Sequence, residues 1–229
     1  PYLGARLARG YVRAVQGEGV MAVVKHFAFN EQETERMSES SDVGERTAWE
    51  LYSPPFQAAV EAGAVAAMCA YNKVNGTWAC ENENLMQRDL RDRMGFKGFV
   101  MSDWGATHST SLRQGLDMDQ PGSVDSFFNA QTLSLSADTS LLDRAVHRTL
   151  AATYRLRLHE YPGCVYPTGC THDLHTDVTN AAHRVLARNV AMSAVVLLKN
   201  NGILPLQAHR VRTIAIVGQV AAARPSRLG

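Results

Sequence analysis

Apolar residues over 5–18 recur at helical spacing, with Leu7, Tyr11, Val12 and Val15 on one face and Gly19 as the stop. Val20-Met21-Ala22-Val23-Val24 follows as a near-continuous apolar run that gives way at once to polar residues, the signature of a strand buried on both faces. The spacing predicts a helix over 45–62, with Pro54-Pro55 expected to kink it or mark a restart, and Gly63 expected to end it. Ala64–Ala70 reads as a second buried strand, 84–93 as a helix with Leu85, Met86 and Leu90 apolar, and Gly95-Phe96-Lys97-Gly98 as a turn. A third strand, Phe99-Val100-Met101, runs into Ser102-Asp103-Trp104, and a further helix and a short strand near Leu116–Met118 come next. Strands alternating with helices argue for a parallel sheet with helical crossovers, either doubly wound or a (β/α)8 barrel.

Downstream, 141–159 is predicted as a helix and 161–171, rich in Pro, Gly and Cys, as a linker. A helix over 181–191, strands over 194–198 and 213–218, and a turn at Asn200-Asn201-Gly202 read as the start of a second α/β unit.

Composition narrows the picture only modestly. The 229 residues carry 23 Lys and Arg against 22 Asp and Glu, so charge offers no reason to expect nucleic acid or an anionic membrane as partner. No apolar run approaches the ~20 residues that span a bilayer, and the start at Pro1, with no leader-like pattern, suggests processing or truncation. Four cysteines form two close pairs, Cys69 with Cys80 and Cys164 with Cys170. They fit two short-loop disulfides in an oxidising compartment or four thiols in a reducing one. Zinc fits less well, because neither pair has the Cys-x-x-Cys spacing.

Chemistry gathers where strands end. Lys25-His26, Tyr71-Asn72 and Asp103-Trp104 each follow an apolar run, and in a barrel such ends converge on the active-site face. A carboxylate beside an aromatic ring suits attack on a sugar, although Asp103 placed after a strand is equally well suited to cap a helix. Lys25 and His26 can donate to hydroxyls. Arg36 can too, but taken alone it reads as a solvated loop charge.

The strings KHFAFNEQETER, MCAYNKVNG, GFKGFVMSDWGATHS and GLDMDQPG, in that order, resemble the barrel domain of glycoside hydrolase family 3, above all its β-glucosidases. VLLKNNGILPL followed by IAIVG resembles the start of that family's second domain. The resemblance implies an α/β chain: the C-terminal part of a (β/α)8 TIM-type barrel over 1–160, a linker over 161–180 and the beginning of an α/β sandwich over 181–229. It implies Asp103 as nucleophile, Lys25, His26 and Arg36 as ligands to sugar hydroxyls, Tyr71 beside the nucleophile, Met68 lining the pocket and Trp104 packing on the sugar. It also implies a Cys69–Cys80 disulfide and secretion, with Cys164–Cys170 a weaker pairing.

The expected reaction is release of terminal β-D-glucose from β-glucosides and cello-oligosaccharides with retention, without metal or organic cofactor. A β-xylosidase or exo-glucan hydrolase is the alternative within the family. The family's acid/base glutamate matches no residue here, so the chain reads as an internal fragment, expected to be inactive and poorly soluble alone. That absence leaves open a catalytically incomplete carbohydrate-binding protein, and an unrelated barrel with Asp103 as a cap is a third reading.

Overall fold

The computed structural model describes residues 1–123, 126–135, 138–161, 170 and 175–218. The fold is α/β, in two units, Pro1–Gly163 and Cys164–Gly229.

In the first unit, α1 (Tyr2–Gly17) buries Val12, with Ala8 and Val15 beside it, against Ala22, Ala59 and Ala64. Leu7 and Tyr11, expected on that face, point outward instead, because the apolar arc of the helix is wider than its contact. Strand β1 (Val23–Phe27) begins three residues later than the apolar run. After the two-residue β2 (Ser40–Ser41) comes one long helical stretch in three windings: α2 (Glu45–Thr47), a π-wound turn (Ala48–Tyr52) and α3 (Ser53–Glu61). The restart falls at Ser53, which sets Pro54 and Pro55 in a first turn, where missing N–H groups leave no bond unmade. Gly63 stops the helix in a left-handed conformation (φ 94°).

Strand β3 (Ala66–Cys69) follows, then a hairpin of β4 (Lys73–Val74) and β5 (Thr77–Trp78). Its Asn75-Gly76 loop has both φ values positive, which the right-handed twist of a hairpin favours. A π-wound helix (Asn84–Arg93) leads to β6 (Phe99–Ser102). The main sheet has the order β1-β3-β6, all parallel, with Val23 opposite Ala66 and Ala66 opposite Phe99. The small sheet has the order β2-β4-β5.

Alanines at 66 and 67, both wholly buried, let helices close on the sheet. Gly98 does the same for backbone: a Cβ there would lie 2.1 Å from the Val65 carbonyl oxygen. Phe27, Met86 and Leu90 fill the largest core cluster, and full burial of each such side chain contributes about 1.5–3 kcal/mol.

The expected fourth strand shrinks to a single parallel bridge between Met101 and Met118. Asp117 holds this segment to the sheet. It accepts from Val100 N (2.8 Å), Arg91 Nη2 (2.7 Å) and Arg148 Nη1 (2.9 Å). Burial pushes its carboxyl up from the usual range, and the two guanidiniums and the Val100 N–H pull it back.

The helix expected between Trp104 and Leu116 is replaced by turns. Ser109 and Ser111 bond to each other (2.8 Å), and Ser111 reaches back to the Ser109 carbonyl (3.4 Å), local bonds that compete with helix. The unit closes with α4 (Ala130–Leu135), missed by the sequence pattern, and α5 (Thr139–Arg155), capped by Asp138 accepting from Ser140 N (3.1 Å).

The second unit has α6 (Ala181–Ala194), whose Asn180 cap accepts from His183 N (2.8 Å). The expected turn at Asn200 is present, with Oδ1 accepting from Gly202 N (3.1 Å) and Leu204 N (3.2 Å). The expected strands over 194–198 and 213–218 are not formed. Ala194 ends α6, and the rest of the two runs form no strand and pair with nothing in a sheet among the described residues, since a strand without a neighbour leaves its N–H and C=O groups to water. The expected linker over 161–171 falls almost entirely outside the described residues.

Candidate active site

Because β1, β3 and β6 are parallel, their C-terminal ends share one edge of the sheet. Asp103 is the first residue past β6, and its N–H donates to the Cys69 carbonyl (3.2 Å) as the ladder ends. Its carboxylate is mostly enclosed and takes three contacts. Oδ1 accepts from Trp104 N (2.8 Å), Oδ2 lies 3.2 Å from His26 Nε2, and the Tyr71 phenol lies near enough for the carboxylate to raise its pKa. No helix follows among residues 104–116, so the capping alternative for Asp103 fails.

Burial lowers the His26 pKa below its ordinary 6.5 against the opposing pull of Asp103, and the charges of Lys25 and Arg36 lower it further. The imidazole is therefore neutral at neutral pH, and a neutral ring facing a carboxylate carries its proton on Nε2. Burial raises the Tyr71 pKa above 10.0, and the charge of Asp103 and its hydrogen bond raise it again, with Arg36 opposing. The phenol stays a proton donor.

The other expected site residues are placed unequally. The Arg36 guanidinium lies 4.8 Å from the centre of the Tyr71 ring, and its Nε is 3.4 Å from Glu33, so it joins the cluster through an aromatic face rather than through Asp103. Lys25 is exposed and makes no hydrogen bond or ion pair among the described residues; it reaches the cluster only as a nearby charge on His26. Met68 is half-buried on β3, in register with Met101. Trp104 stands 65% exposed beside the carboxylate.

Cys69 and Cys80 form a disulfide with Cα atoms 5.2 Å apart. Cys69 is also the residue whose carbonyl receives the Asp103 N–H, so the crosslink fixes the strand end next to the carboxylate. Cys170 is disulfide-bonded as well, and Cys164 lies outside the described residues.

Sequence reasoning gave no role to several groups. Buried Asn72 donates to the Lys73 (3.0 Å) and Ala28 (3.3 Å) carbonyls, tying the β1 exit to the β3 exit. Ser102, Thr107 and Asp119 form a hydroxyl–carboxylate cluster under the Asp103 loop. Asn72 stood next to Tyr71 at a strand end, and Ser102, Thr107 and Asp119 fell within the strings that resemble the family, but neither signal gave them a role. A polar cleft of about 290 Å³ bounded by Trp49, Asn75, Asn82 and Arg88 lies apart from Asp103. Its amides are already bonded to Val43, Val74 and Leu85, and Arg88 to Asp89. No helix among the described residues is long and apolar enough to cross a membrane.

The profile of the "Glycosyl hydrolase family 3 N terminal domain" matches residues 1–130. The chain is 42% identical over 239 residues to a probable beta-glucosidase L of Aspergillus terreus, covering 98% of this chain and 32% of that protein. It is 40% identical to beta-glucosidase cel3A of Pyricularia oryzae, covering 98% and 31%. Among solved structures, a beta-D-glucoside glucohydrolase of Trichoderma reesei superposes with a TM-score of 0.75 at 38% identity, covering 90% of this chain and 30% of that one. DesR, a beta-glucosidase of Streptomyces venezuelae solved with D-glucose, gives 0.75 at 33% identity, covering 89% and 27%. The chain thus spans about a third of the length of these relatives.

Proposed function

This chain belongs to glycosyl hydrolase family 3, and on that premise we propose that it carries the nucleophile side of a retaining β-glucosidase. The observation that carries the reading is the Asp103 carboxylate at the joined ends of parallel strands, met there by His26 and Tyr71.

In the proposed route, a terminal β-D-glucosyl unit of an aryl glucoside or short cello-oligosaccharide sits over Asp103. One Asp103 oxygen attacks C1 as the bond from C1 to the leaving oxygen breaks, and an acid outside this chain protonates that oxygen. Water then attacks C1 of the glycosyl ester, giving its proton to the same outside residue, and the Asp103 carboxylate departs. Configuration is retained, and the two carboxyl groups lie about 5–5.5 Å apart.

Lys25, His26 and Arg36 hold sugar hydroxyls. Tyr71 steadies the Asp103 carboxylate, Met68 lines the pocket wall, and Trp104 packs on the apolar face of the ring. Residues 1–160 form the later part of a (β/α)8 barrel, of which β1, β3, β6 and the Met118 bridge are an arc. Residues 161–180 are a linker, and 181–229 begin an α/β sandwich. The disulfide at the site suits an extracellular enzyme.

The test uses the full-length gene product. Asp103→Asn is expected to lower kcat on an aryl β-glucoside by on the order of 10⁴-fold, with an unchanged melting temperature. A 2-deoxy-2-fluoroglucoside should label the peptide holding Asp103. Ordinary turnover by the variant, or a label elsewhere, removes the assignment.

A further inference from the structure

The Asp103 loop is stitched along one side to a segment that no motif reading assigned to the site. Ser102, wholly buried, is the residue before Asp103, and its Oγ accepts from Gln120 N (2.8 Å) and donates to Asp119 Oδ1 (3.3 Å). Thr107 Oγ1 donates to the same Asp119 oxygen (2.5 Å). Gly105 N donates to the Gln120 carbonyl (3.0 Å), and Ala106 N to the Asp103 carbonyl (3.1 Å). Asp119 Oδ1 therefore receives hydroxyls from both ends of the turn 102–107, and Asp103 and Trp104 lie between those two anchors.

We propose that Asp119, through Thr107 and Ser102, is a positioning residue that sets the pose of Asp103 and Trp104 for attack on C1. The proposal rests on the reading of Asp103 as nucleophile.

The physical reasoning is short. Residues 104–116 form turns, so no helical or strand ladder holds this loop. Its pose depends on side-chain bonds added to the few backbone bonds of Asp103, Gly105 and Ala106, and a carboxylate accepting hydroxyl protons makes stronger, shorter bonds than neutral pairs do. Thr107 is buried and Asp119 only partly exposed, so water competes weakly for these bonds. An error of about 1 Å in a reacting group can cost on the order of 10²-fold in rate, whereas binding of a sugar spread over many contacts is less sensitive.

The experiment compares Thr107→Val, Thr107→Ser and Asp119→Ala with the full-length wild-type protein. Three quantities are read: the rate constant for inactivation by an activated 2-deoxy-2-fluoroglucoside, the inhibition constant of glucose, and the melting temperature. Thr107→Val keeps the shape of the side chain and removes its donor. It should inactivate about 10-fold more slowly, with the glucose constant within about 2-fold of wild type. Thr107→Ser should restore the wild-type rate, and Asp119→Ala should match or exceed the slowing by Thr107→Val.

A Thr107→Val rate equal to wild type overturns the proposal. So does a Thr107→Ser variant as slow as Thr107→Val, because the hydroxyl is then not what matters. If Asp119→Ala fails to fold, the Thr107 pair decides alone. Failure of the underlying reading is distinct: the fluoroglucoside would then label a residue other than Asp103 in the wild-type protein.

Discussion

The two units of this chain carry similar apolar runs and make different use of them. In the first, Ala66-Ala67-Met68-Cys69 and Phe99-Val100-Met101 lie side by side in a parallel ladder under helices, and most of their residues are sealed from water. In the second, Val195, Val196, Leu198 and Val217 are 73–92% exposed, in segments that join no sheet among the described residues. Composition does not separate the two cases. A strand exists only when another strand accepts its hydrogen bonds, so an apolar run specifies the capacity for a strand and its neighbours decide the outcome.

Substitutions in the two units can break or sharpen this contrast. The largest stability effect should come from Leu90→Ala in the first unit. The side chain is wholly enclosed in the main core, and such truncations cost about 2–5 kcal/mol. Urea unfolding of the chain followed by circular dichroism measures it, and a loss under about 1 kcal/mol would mean that the core is less closely packed than it stands here.

A smaller effect should come from pH. His26 has a folded pKa below its ordinary 6.5, so the unfolded chain binds the proton more readily. Stability should therefore fall as pH drops from about 6.5 through the lower folded value, and His26→Gln should flatten that slope. Melting temperatures taken from pH 7.5 down to 5 read the difference, and parallel curves for the two proteins would contradict it. The smallest effect should be that of Leu198→Ala in this chain. The side chain already meets water, so unfolding should shift by no more than about 0.5 kcal/mol, and a larger loss would mean that something covers the run.

What the sequence made legible follows the same physics. Helices α1 and α5, the helical stretch from Glu45 to Glu61 and the three strands of the main sheet were readable, because spacing and apolar runs record local geometry. So was the meeting of His26, Tyr71 and Asp103, since each lies at or just past the C-terminal end of a strand and parallel strands align their ends. The turns over 104–116 were not, because short-range bonds between serines outweighed the expected crossover. The brace between Thr107 and Asp119 was hidden for a related reason. It joins residues 12 apart across two irregular segments, and no periodicity marks such a contact. Arg36 taken alone read as a solvated loop charge and was named only through the family resemblance, and it enters the cluster by stacking on Tyr71, a relation that one-dimensional spacing cannot express.

The hydrogen bonds that converge on Asp103 bear on the timing of the proposed reaction. Trp104 N–H and the Tyr71 hydroxyl favour the free carboxylate over its ester. They therefore restrain Asp103 as it attacks, and they stabilise it as a leaving group when water arrives. On the proposed reading, these donors favour release of the covalent sugar, so little enzyme should stand as the ester at steady state, and the slow half of the cycle should be the one in which the aglycone departs.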